Sequence, residues 1–351
     1  MHPTLHTDLC DLVGIRVPIV QTGMGWVAGP RLTAATANAG GLGILAAGTM
    51  DFEQLRAAIA ETRERTDAPF GVNLRSDAPD AAERCSLLIS EGVRVASFAL
   101  APKPELIDQL KAAGVVVIPS VGARRHAEKV VAWGVDAVLV QGGEGGGHTG
   151  PVPTSLLLPQ VVDAVDVPVI AAGGFFDGRG LVAALAYGAA GIAMGTRFLL
   201  TQDSPVGAAV KDVYLSKAVT DTLVTTQVDG VPHRVLRTDF TERLHRAGPV
   251  LGLPRALRNA ARFKRLSGLR WGDLLREGRA MRRAQDLTWS QVLMAANTPM
   301  LLKAAMVDGR PDLGVMSSGQ VVGLLDDLPT VAELIDRVIE EAEAVLKRLG
   351  A

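Results

Sequence analysis

Cysteine is nearly absent from this 351-residue chain, with Cys10 and Cys85 the only two. They stand far apart and neither belongs to a CxxC spacing, which argues against a disulfide framework and a zinc site, so no metal is expected. An excess of one charge is also missing, because 36 Lys and Arg face 37 Asp and Glu for a formal net charge of −1. The composition therefore exerts no global pull toward nucleic acid or a membrane surface, and neither is an expected partner. No run reaches the roughly 18 apolar residues of a membrane span. The opening stretch MHPTLHTDLCDLVGIRVPIV lacks a basic segment followed by a long apolar one, so the expected location is the cytoplasm.

A hydrophobic content of 48% is enough for a large core. From Val17 to Leu200, short β-branched apolar runs alternate with alanine-rich segments of helical period, the pattern of repeated βα units around a parallel sheet. Eight strands are predicted: Val17–Gln21, Leu42–Leu45, Phe70–Leu74, Val93–Phe98, Val115–Pro119, Ala137–Gln141, Val167–Ala171 and Gly191–Met194. Seven helices are predicted between them, the first over Arg31–Ala39 and the last over Gly180–Tyr187. Eight apolar parallel strands suit an α/β fold of the closed (β/α)₈ type, a TIM barrel, better than an open sheet.

After Leu200 the βα rhythm is lost, and a basic stretch runs from Arg234 to Arg283, including Arg262 and Arg265. It reads either as a solvated helical face or as a sink for an anionic substrate tail. Val331–Leu349 reads as an amphipathic helix with acids early and Lys347 and Arg348 late, suited to closing the outer ring of a barrel.

The glycines carry the chemistry. Gly145, Gly147 and Gly150 satisfy GxGxxG, but Pro151 and Pro153 delay any helix, so a dinucleotide-binding reading lacks its context. AAGGFFDGRG follows the seventh strand and MGTRF the eighth, where barrel enzymes commonly bind phosphate through backbone N–H groups. Gly173, Gly174, Gly195 and Thr196 are the candidates there. His148 ends the glycine loop after the sixth strand, on the face where barrel active sites are built, and imidazole is suited to proton transfer near neutrality. The histidines at positions 2, 6, 126, 233 and 245 lack such surroundings.

PIVQTGMGW, NAGGLGIL, FGVNLR, VQGGEGGGHTG, VIAAGGFFDGRG and MGTRFLLT together resemble the nitronate monooxygenase or 2-nitropropane dioxygenase family of FMN-dependent barrels. The resemblance implies that Thr22, Gly23 and Met24 line the flavin and that Asn73 and Arg75 lie near its pyrimidine side or ribityl chain. It also implies that Ser120, Gln141, Gly146 and Gly147 add contacts, that Gly173, Gly174, Gly195 and Thr196 hold the FMN phosphate, and that His148 is catalytic. Residues 1–205 with 317–351 are then the FMN-binding barrel, and 206–316 a mainly helical, basic segment that covers the substrate.

TWSQVLMAANTPMLLKAAMVDG, VMSSGQVVGLLDDLP and VTTQVDGVPHRVLRT resemble, more narrowly, an actinobacterial subgroup of steroid C/D-ring degradation that dehydrogenates an indane carboxyl-CoA thioester. That likeness implies an FMN-dependent oxidoreductase acting on a CoA thioester, with Arg262, Arg265 and Gln320 toward the substrate and an electron acceptor left unspecified. A homodimer is the expected assembly. The alternatives are a nitronate monooxygenase, a flavin-dependent enoyl reductase and a non-catalytic flavin- or phosphate-binding scaffold.

Overall fold

The computed structural model describes residues 1–246 and 297–350. Each β-rich segment forms a strand: β1 (Ile19–Gln21), β2 (Leu42–Ala46), β3 (Gly71–Leu74), β4 (Val95–Phe98), β5 (Val116–Val121) and β6 (Val138–Gln141). A two-residue strand outside the barrel, β7 (Gly147–His148), precedes β8 (Val169–Ala172) and β9 (Gly191–Met194). The barrel runs β1 to β6, then β8 and β9, every neighbouring pair parallel, and it closes where Val20 of β1 lies opposite Ala193 of β9. This is the TIM barrel that the alternating pattern predicts.

Alternation along the strands decides what fills the interior. Val20, Leu42, Ile44, Val95, Val116, Ile118, Leu139, Ile170 and Ala193 point inward and pack together. The first helix, α1 (Asp8–Val13), stops the lower end of the barrel by adding Leu9, Cys10 and Val13 to that cluster. The outward residues pack under the ring of helices α2 (Pro30–Asn38), α3 (Phe52–Arg65), α4 (Ala81–Ser90), α5 (Pro104–Ala112), α6 (Arg124–Ala132), α7 (Thr154–Val162) and α8 (Gly178–Ala186).

Only the single turn α9 (Thr196–Leu199) follows β9 directly. Beyond it come α10 (Ala208–Leu215), α11 (Asp239–Arg246) and α12 (Asn297–Met306), and the ring is completed by α13 (Val331–Leu349), which packs against α8 and α2. Its buried stripe includes Leu334, Ile335, Val338, Ile339, Ala342 and Leu346, as the helical period requires. Thr330 and Glu333 form a capping box at its start, and Gly350 ends it in the left-handed region.

One element differs from the expected helical segment after residue 205. Thr222–Thr225 (β10) and His233–Leu236 (β11) form an antiparallel hairpin, and β11 pairs in turn with β7, placing His233 opposite His148 and Arg234 opposite Gly147. The local reason is legible afterwards: two β-branched runs flank Asp229-Gly230, and Gly230 takes a φ of 90° in the turn.

Candidate active site

Strand parity builds the mouth of the barrel. The inward rows that fill the interior continue upward as Thr22 after Val20, Asn73 on β3, Ser97 after Val95, Ser120 after Ile118, Gln141 after Leu139, Gly174 after Ala172 and Gly195 after Ala193. Residues predicted from separate motifs thus share one layer at the C-terminal ends of the strands, where TIM barrels place their chemistry. Contacts tie the layer together. Asn73 Nδ2 donates to Ser97 Oγ at 3.2 Å, a Cβ on Gly23 would lie 2.6 Å from Asn73 Cβ, and one on Gly195 would lie 3.2 Å from Thr22 Oγ1 and 3.5 Å from Met24 Sδ.

Gln141 braces the glycine loop, donating from Nε2 to the carbonyl oxygens of Gly146 at 3.2 Å and His148 at 2.8 Å. Gly146 is pressed against the 318–319 turn so closely that a Cβ would come within 2.5 Å of the Ser318 carbonyl carbon. The same turn donates from Gly319 N–H to Thr196 Oγ1 at 3.0 Å and from Gln320 N–H to the Glu144 carbonyl at 2.9 Å. Gln320 therefore stands beside the glycine loop and the start of α9. Glu144 itself caps α7, accepting from Thr154 N–H at 2.9 Å and Thr154 Oγ1 at 2.8 Å.

His148 sits at the rim, its side chain 61% exposed, while Nε2 lies 2.6 Å from Oδ2 of Asp229, which is 4% exposed. Behind them His233 is buried, with Nε2 2.8 Å from Ser317 Oγ and Nδ1 3.5 Å from the same Asp229 oxygen. The two imidazoles meet edge to face, with centroids 4.8 Å apart. Partial desolvation at the rim works against a charge on His148, but the hydrogen bond and charge of Asp229 outweigh it, with Arg75 opposing, so its pKa lies above the ordinary value. Burial prevails at His233 and lowers its pKa despite Asp229. Asp229 is buried too, yet the hydrogen bond from His148 and the nearby His233 ring, with Nδ1 3.5 Å away, hold its carboxyl far below the usual range.

The donor atoms of these three residues all lie within 4.8 Å of one another. A shared metal would hold its ligand atoms about 3 Å apart or more. The 2.6 Å separation between His148 and Asp229 is instead that of a charge-assisted hydrogen bond.

Of the other predicted residues, Arg75 lies just beyond β3, forked onto Asp77 through two contacts of 3.0 Å. Arg262 and Arg265 lie outside the described residues. Asp229, His233, Ser317 and Ser97 are the site residues that the sequence reading passed over. The Asp-Gly turn between two β-branched runs is the signal that could have found the hairpin, although nothing in its spacing points to His148.

The sequence profile of the nitronate monooxygenase family matches residues 6–341. The chain belongs to the nitronate monooxygenase family. Within it, the chain is 63% identical over 348 residues, 99% of both chains, to the (3aS,4S,5R,7aS)-5-hydroxy-7a-methyl-1-oxo-octahydro-1H-indene-4-carboxyl-CoA dehydrogenase of Rhodococcus jostii (strain RHA1). Identity to the protein of the same name from Mycobacterium tuberculosis is 62%, again over 99% of both chains. A probable nitronate monooxygenase of Staphylococcus saprophyticus is 32% identical, over 69% of this chain and 81% of that one. Among solved structures, FabK from Thermotoga maritima matches with a TM-score of 0.80 and 35% identity over 98% of both chains. The chain is an oxidoreductase, as these relatives are.

The nitronate monooxygenase family is flavin-dependent, and the barrel mouth suits such a group. Gly173 and Gly174 take left-handed φ values of 100° and 82°, conformations that favour glycine. Among the described residues, the N–H groups of Gly173, Gly174, Gly195 and Thr196 have no hydrogen-bond acceptor.

Proposed function

We propose that this chain is an FMN-dependent dehydrogenase that introduces an α,β double bond into a bicyclic indane carboxyl-CoA thioester, a step of steroid C/D-ring breakdown. The observation that carries the reading is 63% identity, over 99% of both chains, to a relative named for dehydrogenation of such a thioester. It is supported by a barrel mouth that carries an imidazole paired with a buried carboxylate and, after β8 and β9, four backbone N–H groups without an acceptor among the described residues. Gly173, Gly174, Gly195 and Thr196 would hold the FMN phosphate, with Thr22, Gly23, Met24, Asn73, Ser120 and Gln141 along the rest of the cofactor. FMN, when bound, supplies the acceptor for a hydride from the substrate β-carbon.

The chain's own part is placement and proton transfer. The thioester carbonyl acidifies the α-proton, and His148 accepts it, becoming an imidazolium that Asp229 neutralises across 2.6 Å. Loss of that proton and of the β-hydride leaves the new carbon–carbon double bond, with both electrons of the β C–H bond removed. Exposure of His148 at the rim leaves it open to a ligand from outside the barrel, while the hairpin fixes its backbone through Thr149 N–H to Pro232 O at 3.1 Å. Arg262 and Arg265 remain assigned to the CoA phosphates on charge alone.

A second reading, oxidation of a nitronate, has the 32% identity to the staphylococcal relative in its favour. Anaerobic titration of the flavin spectrum separates the two. Bleaching by the indane acyl-CoA and not by alkyl nitronates is the expected result, and the reverse pattern assigns the chain to nitroalkane chemistry. His148→Ala should keep its flavin and lose reduction by substrate by at least about 100-fold. Full reduction in that variant would remove the base role.

A further inference from the structure

We propose that Asp229 is a positioning residue for His148: it accepts the Nε2 proton, so the neutral imidazole presents Nδ1 as its basic atom, with His233 buried behind Asp229 as a buttress. The inference rests on the reading of His148 as the base and adds which nitrogen does the work and what fixes it. A neutral imidazole carries its proton on one nitrogen and accepts through the other. An ionised carboxylate can only accept. Asp229 therefore requires the protonated nitrogen to be Nε2, 2.6 Å away, and the lone pair falls to Nδ1. Among the described residues only Nε2 of that ring has a hydrogen-bond partner, so Nδ1 faces no competitor.

The surroundings hold this arrangement in place. Asp229 Oδ1 accepts from Val231 N–H at 3.3 Å, which sets the carboxylate within the β10–β11 turn. His233 presents Nδ1 at 3.5 Å to the oxygen that His148 uses, and its Nε2 is taken by Ser317 Oγ at 2.8 Å. Tyr214 donates to the Ser317 carbonyl at 2.8 Å and so fixes that residue from the barrel side. Among the described residues, the charged or titratable groups that reach His148 are Asp229, His233 and Arg75. Arg75 opposes a charge on His148 and is itself paired with Asp77, while burial disfavours a charge on His233, so among these groups Asp229 is the counter-charge in contact with the His148 ring. Protonation of Nδ1 then creates an imidazolium with its counter-ion already in contact, as general-base catalysis near neutrality requires.

The test is ¹⁵N NMR of the imidazoles in the oxidised holoenzyme, with His148→Gln used to assign the resonance. Below its midpoint His148 is doubly protonated; above it, the neutral ring should carry its proton on Nε2. In Asp229→Asn the midpoint should fall by about one pH unit. The pH limb for anaerobic flavin reduction by the acyl-CoA should move acidward with it, and the plateau rate should fall about 100-fold. A merely structural loss would lower the rate without moving the limb. A wild-type neutral ring protonated on Nδ1 overturns the proposal, and this result needs no folded variant at position 229. An unchanged His148 midpoint in Asp229→Asn overturns it as well. Should His148→Gln reduce its flavin at the wild-type rate, the base assignment fails, whereas a dead His148→Gln beside an Asp229→Asn that titrates like wild type removes only the positioning role.

Discussion

Gly146 is the point at which the glycine loop closes onto the rest of the mouth. A Cβ there would lie 2.5 Å from the carbonyl carbon of Ser318 and 2.6 Å from the nitrogen of Gly319, both backbone atoms with no flexible end to move aside. Gly146→Ala must push the 318–319 turn away and with it the Gly319 N–H that bonds Thr196 at 3.0 Å. We expect a loss of about 1–3 kcal/mol in stability and a lower flavin content. The thermal midpoint and the flavin-to-protein absorbance ratio report the two effects, and a wild-type ratio would show that the turn gives way without disturbing the mouth. The residue types explain how far the site could be read from the chain. The glycine loop and His148 stand together in sequence, so their meeting needed no fold, although the immediate reason for Gly146 is protein backbone and not cofactor. Asp229 lies 81 residues beyond His148 and was illegible, because only the pairing of β7 with β11 brings them together.

The elements were legible wherever local pattern and tertiary demand agree. All eight barrel strands form where β-branched runs predict them, since strands buried on both faces need continuous apolar sequence. Helix α13 matches the predicted Val331–Leu349 because amphipathic period, capping box and terminal glycine all mark the same bounds. Its lead-in is held by Asp327, which accepts from the buried Arg197 at 2.8 Å and from Arg337 at 2.6 Å, linking the turn after β9 to the helix that completes the ring. The hairpin escaped because its two strands are only four residues long, and β11 already lies in the basic stretch that starts at Arg234. The cap permits a quantitative test. Thr330 Oγ1 accepts from Glu333 N–H, and Thr330→Ala removes that bond together with the one the Thr330 hydroxyl donates to the Glu333 carboxylate. The variant should lose about 1 kcal/mol in urea unfolding. Flavin content should be unchanged, because the helix belongs to the outer ring, and a loss of flavin would mean that α13 supports the mouth directly.

Across the whole molecule, the paired imidazoles make stability respond to pH in opposite senses on either side of neutrality. His148 has its pKa raised in the folded state, where Asp229 overcomes partial desolvation. Its contribution is complete below the unfolded value of about 6.5 and is lost as pH rises through the folded one. His233 has its pKa lowered by burial, so its contribution is present above about 6.5 and is lost as pH falls toward its lower folded value. Asp229, held far below the usual carboxylate range, adds stability above the unfolded value of about 3.9 that is lost only in stronger acid. Below about pH 6.5, then, His233 is the member of this trio that opposes folding: the unfolded chain binds a proton there that the folded chain refuses, at a slope of up to about 1.4 kcal/mol per pH unit. His233→Gln keeps a group able to meet Ser317 and removes that titration. The variant should be less stable than wild type at pH 7.5, from lost packing against His148 at 4.8 Å, but the deficit should shrink on acidification as the wild type alone gives up stability. Urea unfolding at pH 7.5, 6.5 and 5.5 measures both slopes. Parallel slopes would mean that His233 takes up its proton as readily in the folded chain as in the unfolded one, and that the buried imidazole is not held neutral behind Asp229.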